Sequence, residues 1–441
     1  MPLSPTLKLT YFDLDGRASV IRKALSLGGV PFTDERVPRD LTPLKPKLPY
    51  GKVPVLDVDG AIFAETMAIA RYIGRITGQF PPASEPLAAA MIDEIIDSFD
   101  DLFERIMAPS FWETDPEKKK HMREQLLQGP LPQGFALIDK RLAQIAEHPF
   151  FQRAPSKIYL HDVFAWDYVS FMRSGHVDHI PTTFIDAYKT MVAMYDKVEK
   201  ATPSGPSQND EKPCEKEVVP MPLPSKLKLT YFDMPGRAEL IRLAFHIGGV
   251  EFEDERLSFE EFNRRKSEFP NNQVPVLRVN DSTTLAQSFA IVRYVGTLTG
   301  LYPAADPIRA LQIDEVLSHI GEFNFALDPS FAETDPVKKK AMREKLVATT
   351  IPESLDSLNR RLEQWKAQEK ALSSPFAMGG EKLTIADLGI YSLVMFLKSG
   401  FMDHVPATIV DKYTHLVQAC EAVQLHPRVQ DWYVKHPMPA V

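Results

Sequence analysis

Most of this chain is written twice. "LKLTYFD" at 7–13 returns at 227–233, an offset of 220 residues. "VPVL" at 53–56 returns at 274–277, and "ETDPEKKKHMRE" at 113–124 returns as "ETDPVKKKAMRE" at 333–344. "SGHVDHIP" at 174–181 returns as "SGFMDHVP" at 399–406. Solenoid repeats are only tens of residues long, so a period of this size means two copies of a whole multi-element unit in tandem. A length of 441 residues agrees, because a single ordinary core does not extend over so long a chain. Between the copies, residues 201–226 ("ATPSGPSQNDEKPCEKEVVPMPLPSK") are rich in proline, serine and charge and lack apolar periodicity. That stretch reads as a linker.

Each copy divides again. Leu227, Leu229 and Tyr231 share one strand face by period-two alternation, and Leu240, Ile241, Ala244, Phe245 and Gly248 follow helical spacing up to a Gly248-Gly249 stop. "VPVLRVNDSTTLAQ" reads as two strands about an Asn-Asp turn, and "SFAIVRYVGTLTG" as a helix ending at glycine. The order β-α-β, then β-β-α, resembles a thioredoxin-like fold. After Pro307 the pattern is helical almost to the end. "TDP" at 114–116 and 334–336 supplies Asp as N-cap and Pro as first helical residue, and the lysine triplets that follow read as solvated helix faces. The expected organisation is α/β plus all-α. It has thioredoxin-like subdomains at 5–82 and 227–303 and helical subdomains at 84–200 and 305–441.

Composition excludes several partners. A net charge of -8 argues against nucleic acid or an anionic membrane, and no apolar run approaches the roughly 18–20 residues that span a bilayer. "MPLSPTLKL" lacks the plan of a secretory signal, and two cysteines, Cys214 and Cys420, cannot form a disulfide framework. A cytosolic protein is expected. The eleven histidines show no metal-ligand spacing along the chain. No metal is expected, since Asp97, Asp100 and Asp101 are unmatched by Ser318, Gly321 and Glu322 in the other copy.

A strand ending in Tyr-Phe, "GRAE" at a helix start, "QVPVL", "LAQS" and an all-helical second half occur in that order at 227–441, and more loosely at 7–200. Any one of these motifs is weak; five in order are specific. Together they resemble a cytosolic glutathione transferase, most of all the sigma class, which includes prostaglandin-D synthase-like enzymes and lens S-crystallins. That family normally has one unit per chain and works as a two-fold dimer. The resemblance therefore implies a fused pair packed as an intrachain pseudo-dimer.

The resemblance also assigns roles. Transfer of the glutathione sulfur requires thiolate, and a free thiol of pKa about 8.5 is mostly protonated at neutral pH. A hydroxyl donating to the sulfur favours the charged form, and Tyr231 stands where the family places it, with Arg237 beside it adding positive field. Val274, before Pro275, stands where a cis-proline turn offers backbone groups to the cysteinyl part. Gln287 and Ser288 stand at a helix start suited to the γ-glutamyl carboxylate. Lys266 and Gln273 align with positions that hold the glycine end, and Phe262 stands where the family often has tryptophan. Electrophile contacts are expected from Met234, Asn324, Phe325, Leu393 and the C-terminal segment. "LTIADLGIYS" resembles the family's capping box, with Thr384 and Asp387 in reciprocal roles.

The first copy keeps Tyr11, Arg17, Lys45, Lys52, Val53 and Pro54 but reads Glu65-Thr66 where the second has Gln287-Ser288. Tyr159 replaces the capping threonine, and nothing before the linker matches "HPRVQDWYVKHPMPAV". The second site is thus expected to carry most of the activity, and the first to be more open or partly retired. By the family's dimer logic, Asp101 of the first copy would complete the second site and Glu322 would serve the first. The leading expectation is conjugation of glutathione, as co-substrate, to small hydrophobic electrophiles. A glutathione-dependent isomerase or peroxidase is an alternative, and so is a non-catalytic crystallin-like protein.

Overall fold

The computed structural model describes residues 5–201 and 223–437; nearly all of the expected linker, with Cys214, lies outside the described residues. In the first half the strands are β1 (Leu7–Phe12), β2 (Thr33–Val37), β3 (Val55–Val58) and β4 (Ala61–Ala64). They form a sheet of order β2-β1-β3-β4, with β1 parallel to β2 and antiparallel to β3, and β3 antiparallel to β4. The second half repeats this with β5 (Leu227–Phe232), β6 (Glu253–Leu257), β7 (Val276–Val279) and β8 (Thr283–Leu285), ordered β6-β5-β7-β8. Alternation on β5 buries Leu227, Leu229 and Tyr231 on the core face, as the sequence pattern predicts. Asn280 and Asp281, both at positive φ, make the β7–β8 turn. The helix Glu239–Gly248 stops at Gly249, whose φ of 67° suits a residue without a side chain.

Beyond each sheet the chain is helical. The side chains of Asp115 and Asp335 each accept two backbone N–H groups, ahead of Pro116 and Pro336 at the first helical position. Asp387 Oδ2 accepts both the N–H and the hydroxyl of Thr384, at 2.8 Å each. The first half departs less from this than the sequence suggests. Asp162 still accepts the N–H of Tyr159 at 2.8 Å, and Lys197 Nζ at 3.0 Å takes the place of the missing threonine hydroxyl.

One difference between the halves is a single residue. "IDE" is offset by 221 (Ile92 to Ile313) and "ETDP" by 220 (Glu113 to Glu333), so the first half holds one extra residue in between. There the second half runs as one helix, Pro307–Ala332, whereas the first has Pro86–Asp101, then a π-helical turn at Leu102–Met107. A π turn absorbs an inserted residue without breaking the helix.

The halves meet along these long helices, Thr66–Ile76 lying against Pro307–Ala332 and Ser288–Thr299 against Pro86–Asp101. At the centre Arg71 bonds Asp93 and Asp97, both at 2.5 Å. Arg293 bonds Asp314 at 2.7 Å and reaches across to Asp97 at 3.3 Å. Arg75 crosses the other way, to Asp314 at 3.2 Å and the Tyr302 hydroxyl at 2.5 Å. Two clamps flank this cluster. Arg141 pairs with Glu94 and bonds the Thr284 carbonyl of β8 at 2.6 Å; Arg361 pairs with Glu315 and bonds the Ile62 carbonyl of β4 at 2.5 Å. Burial would raise the Asp314 carboxyl, but Arg293, Arg75 and Arg71 together hold it below its usual range.

Removing one member of such a set strands the others. Asp314→Ala leaves Arg293 and Arg75 buried without their main partner, at an expected cost of about 3–5 kcal/mol. Urea unfolding of both proteins at neutral pH measures this; a difference under about 1 kcal/mol would show that the cluster acts like a surface pair.

Candidate functional site

Both tyrosines sit at the C-terminal end of the first strand of their sheet and are buried. The Tyr231 hydroxyl accepts the N–H of Arg237 at 3.2 Å, and the Tyr11 hydroxyl accepts that of Arg17 at 3.1 Å. The hydroxyl proton stays free to be donated. Close approach needs glycine: a Cβ on Gly236 would lie 2.6 Å from the Tyr231 oxygen, and one on Gly16 2.7 Å from that of Tyr11. Both glycines have φ near 45°, which independently favours glycine.

The Val53–Pro54 and Val274–Pro275 bonds are both cis, directly before β3 and β7. Glu65 (φ 70°) and Gln287 (φ 64°) occupy the left-handed region at the N-caps of the helices Thr66–Ile76 and Ser288–Thr299. A non-glycine residue held there stores on the order of 1–3 kcal/mol of strain. The result is a first helical turn whose N–H groups and Thr66 or Ser288 hydroxyl suit an anion. Lys45, Lys266 and Gln273 are exposed, with no side-chain hydrogen bond or ion pair among the described residues. Phe262 packs instead between Phe232 and Phe269, at ring centroid distances of 5.2 and 6.1 Å.

The cross-half residues distinguish the two pockets. In the second, Gln287 Nε2 donates to Asp101 Oδ2 of the first half at 2.9 Å and lies 3.3 Å from Ser98 Oγ, which Asn271 also approaches at 3.1 Å. Burial raises the Asp101 carboxyl, partly offset by Arg105 and Gln287. In the first, Glu322 of the second half accepts from Lys52 Nζ at 2.6 Å, and His319 Nδ1 lies 3.4 Å from Glu65 Oε1. The His319 ring stacks on Tyr50 at 4.1 Å. Burial raises Glu65, with Glu322 adding to the effect; burial acts the same way on Glu322, but Lys52, with Arg17 and His319, outweighs it and leaves that group lowered. Sequence reading missed Ser98, Asn271, Tyr50 and His319. Their signal was available only by superposing the copies, where Ser98 aligns with His319 and Tyr50 with Asn271.

The site arginines also differ. Arg17 is held by Glu104 and, at 3.7 Å, by Asp100, under the ring of Phe103. Arg237 is exposed and forms no ion pair among the described residues. Asp100 corresponds to Gly321, and Glu104 stands inside the π turn that the second half lacks. The first site thus has an acidic partner at its arginine that the second lacks. In the second half, Met234 and Pro235 face Trp432, Tyr433 and Pro437 across a cleft that Tyr231 does not line. Phe325, expected at the electrophile, lies under Arg105 at 5.1 Å.

These are two tandem units, each a thioredoxin-like sheet joined to a helical bundle and each carrying a tyrosine, a cis-proline turn and a left-handed N-cap. The chain belongs to the glutathione S-transferase family. The model described as "Glutathione S-transferase, N-terminal domain" matches residues 7–75 and 227–297, and that of the C-terminal domain matches 323–436. Glutathione S-transferase 3 of Caenorhabditis elegans is 31% identical over 216 residues, 48% of this chain and 96% of that protein. Hematopoietic prostaglandin D synthase of Gallus gallus is 42% identical over 98 residues, 22% of this chain and 48% of that one. The solved prostaglandin synthase D of Nilaparvata lugens is 30% identical, covering 48% of this chain and all of its own, with a TM-score of 0.43. No helix among the described residues is long and apolar enough to cross a membrane.

Burial lifts the Asp100 carboxyl to about 7 against the pull of Arg17. A raised acid favours the folded state when protonated, so its stabilisation is complete below the usual 3.8 and is lost as pH rises through about 7. Asp100→Asn cannot ionise. Its unfolding free energy is expected to fall less between roughly pH 4 and 7.5 than that of the parent; parallel curves would contradict this titration.

Proposed function

We propose that this chain is a sigma-type glutathione transferase in which a tyrosine hydroxyl stabilises the glutathione thiolate, and that the second-half site performs most of the conjugation to small electrophiles. The observation that carries this reading is the N–H of Arg237 bonded to the Tyr231 oxygen, which leaves the proton to donate to sulfur and strengthens the hydroxyl as a donor. The free Arg237 adds positive field, whereas Arg17 is paired with Glu104. Val274 presents backbone groups to the cysteinyl unit. The N–H groups and hydroxyl at Ser288 take the γ-glutamyl carboxylate, and Asp101, already bonded to Gln287, takes its ammonium. The two halves then act as an intrachain pseudo-dimer, each supplying one acid to the other's pocket.

A second reading, a glutathione-dependent isomerase, draws on the stretch of 42% identity to a prostaglandin D synthase. The same thiolate serves both. Retention on glutathione resin with turnover of chlorodinitrobenzene tests the main reading; neither binding nor turnover would overturn it.

Tyr231→Phe is expected to lower kcat/KM on the order of a hundredfold, the scale for losing one donor to a developing anion. Tyr11→Phe should change it far less, and the reverse ranking would move the activity to the first half.

In a Tyr11→Phe background, Asp101→Asn is expected to raise the KM for glutathione at the second site by the equivalent of about 1.5–3 kcal/mol, with little change in kcat. An unchanged KM would show that the acid from the first half does not touch this ligand.

A further inference from the structure

The first half's pocket gathers a set of groups that its counterpart lacks. Glu65, His319 and Glu322 each offer one ligand atom, and these atoms lie within 4.8 Å of one another. His319 is 5% exposed, and its buried Nδ1 has no hydrogen-bond partner while facing Glu65. The ring is fixed from behind. It stacks on Tyr50, and its Nε2 lies 3.2 Å from the Ser354 carbonyl and 2.9 Å from Ser354 Oγ. Donation from Nε2–H to that carbonyl leaves the Nδ1 lone pair aimed at two carboxylates. An arrangement of three lone pairs facing one another at a buried point calls for a cation. The cation now nearest is the ammonium of Lys52, on a side chain 65% exposed that reaches Glu322 from the solvent side.

We propose that Glu65, His319 and Glu322 form a binding site for a divalent transition-metal ion, with Zn²⁺ the best match, and that the ion displaces the Lys52 ammonium. One imidazole nitrogen and two carboxylate oxygens form a donor set of the kind zinc accepts, and a fourth position stays open on the side that Lys52 leaves. Metal–ligand bonds of about 2.0–2.2 Å need ligand atoms roughly 3.3 Å apart, a contraction of at most about 1.5 Å. The bond from Nε2 to Ser354 is the outer support that orients a metal-bound imidazole. The second pocket provides a control within the same molecule. There the matching positions are Gln287, Ser98 and Asp101, with one carboxylate and no imidazole. Metal binding does not depend on the glutathione reading. If both hold, the ion occupies the place of the γ-glutamyl ammonium and closes the first pocket to glutathione.

The test uses the full chain, chelator-treated and free of glutathione, titrated with Zn²⁺ by calorimetry and with Co²⁺ by visible absorption. One saturable equivalent per chain is expected. Affinity should fall at least about a hundredfold in His319→Gln and in Glu65→Gln, and stay unchanged in Ser98→Ala, the mirror position. If His319→Gln does not fold, Glu322→Gln, nearer the solvent, carries the same expectation. No saturable binding by the parent chain would overturn the proposal. So would binding that survives these substitutions, since it would then reside on other histidines.

Discussion

The buried arginine–aspartate cluster at the junction of the halves sets the conditions for everything around it. Arg71 and Arg293 are almost wholly removed from water, and burying an ion costs several kcal/mol unless partners surround it. Asp97 bonds both arginines at once, and Asp314 bonds Arg293 and Arg75. No member can be withdrawn singly, so the helices that carry them hold one register. The same helices present Asp101 and Glu322 to the opposite pockets. The outer clamps of Arg141 and Arg361 end on carbonyls of β8 and β4, the strands leading into Gln287 and Glu65. The pockets at Glu65 and Gln287 are therefore built on the junction itself, and a shift there would be felt in both.

Much of this was legible in the sequence because it is local. Alternation on β1 and β5, the Asn280-Asp281 turn, the Asp-Pro helix starts and the glycine beside each tyrosine all act over a few residues. Asp101 could also be placed, because the repeated "IDE" fixes its phase on the helix. What escaped was set by three-dimensional pairing. Nothing within a few residues of His319 marks it as a neighbour of Glu65, since the two are brought together only when the halves dock. Nor does anything near Tyr159 mark Lys197, 35 residues away, which donates to Asp162 as the Thr384 hydroxyl donates to Asp387 in the other half. The extra residue near 102–107 was present in the offsets, but its outcome, a π turn that places Glu104 on Arg17, depends on packing.

Fusion also changes how such sites can diverge. In a dimer of identical chains, any substitution at the two-fold interface appears on both sides. Here Ser98 faces one pocket while its counterpart His319 faces the other, and Asp100 carries a carboxyl where Gly321 has no side chain. One pocket kept an amide and a single acid; the other collected two acids, an imidazole and an ammonium.

The contact of Arg75 with Tyr302 carries this asymmetry further. Arg75 corresponds to Thr297 and Tyr302 to Phe80, so the bond joins a residue unique to the first half with a hydroxyl unique to the second. Two first halves would set the guanidinium against a phenylalanine, and two second halves would leave the hydroxyl facing a threonine. The joint has polarity: like a plug and socket, it distinguishes unlike halves from like ones, a choice that identical subunits never face.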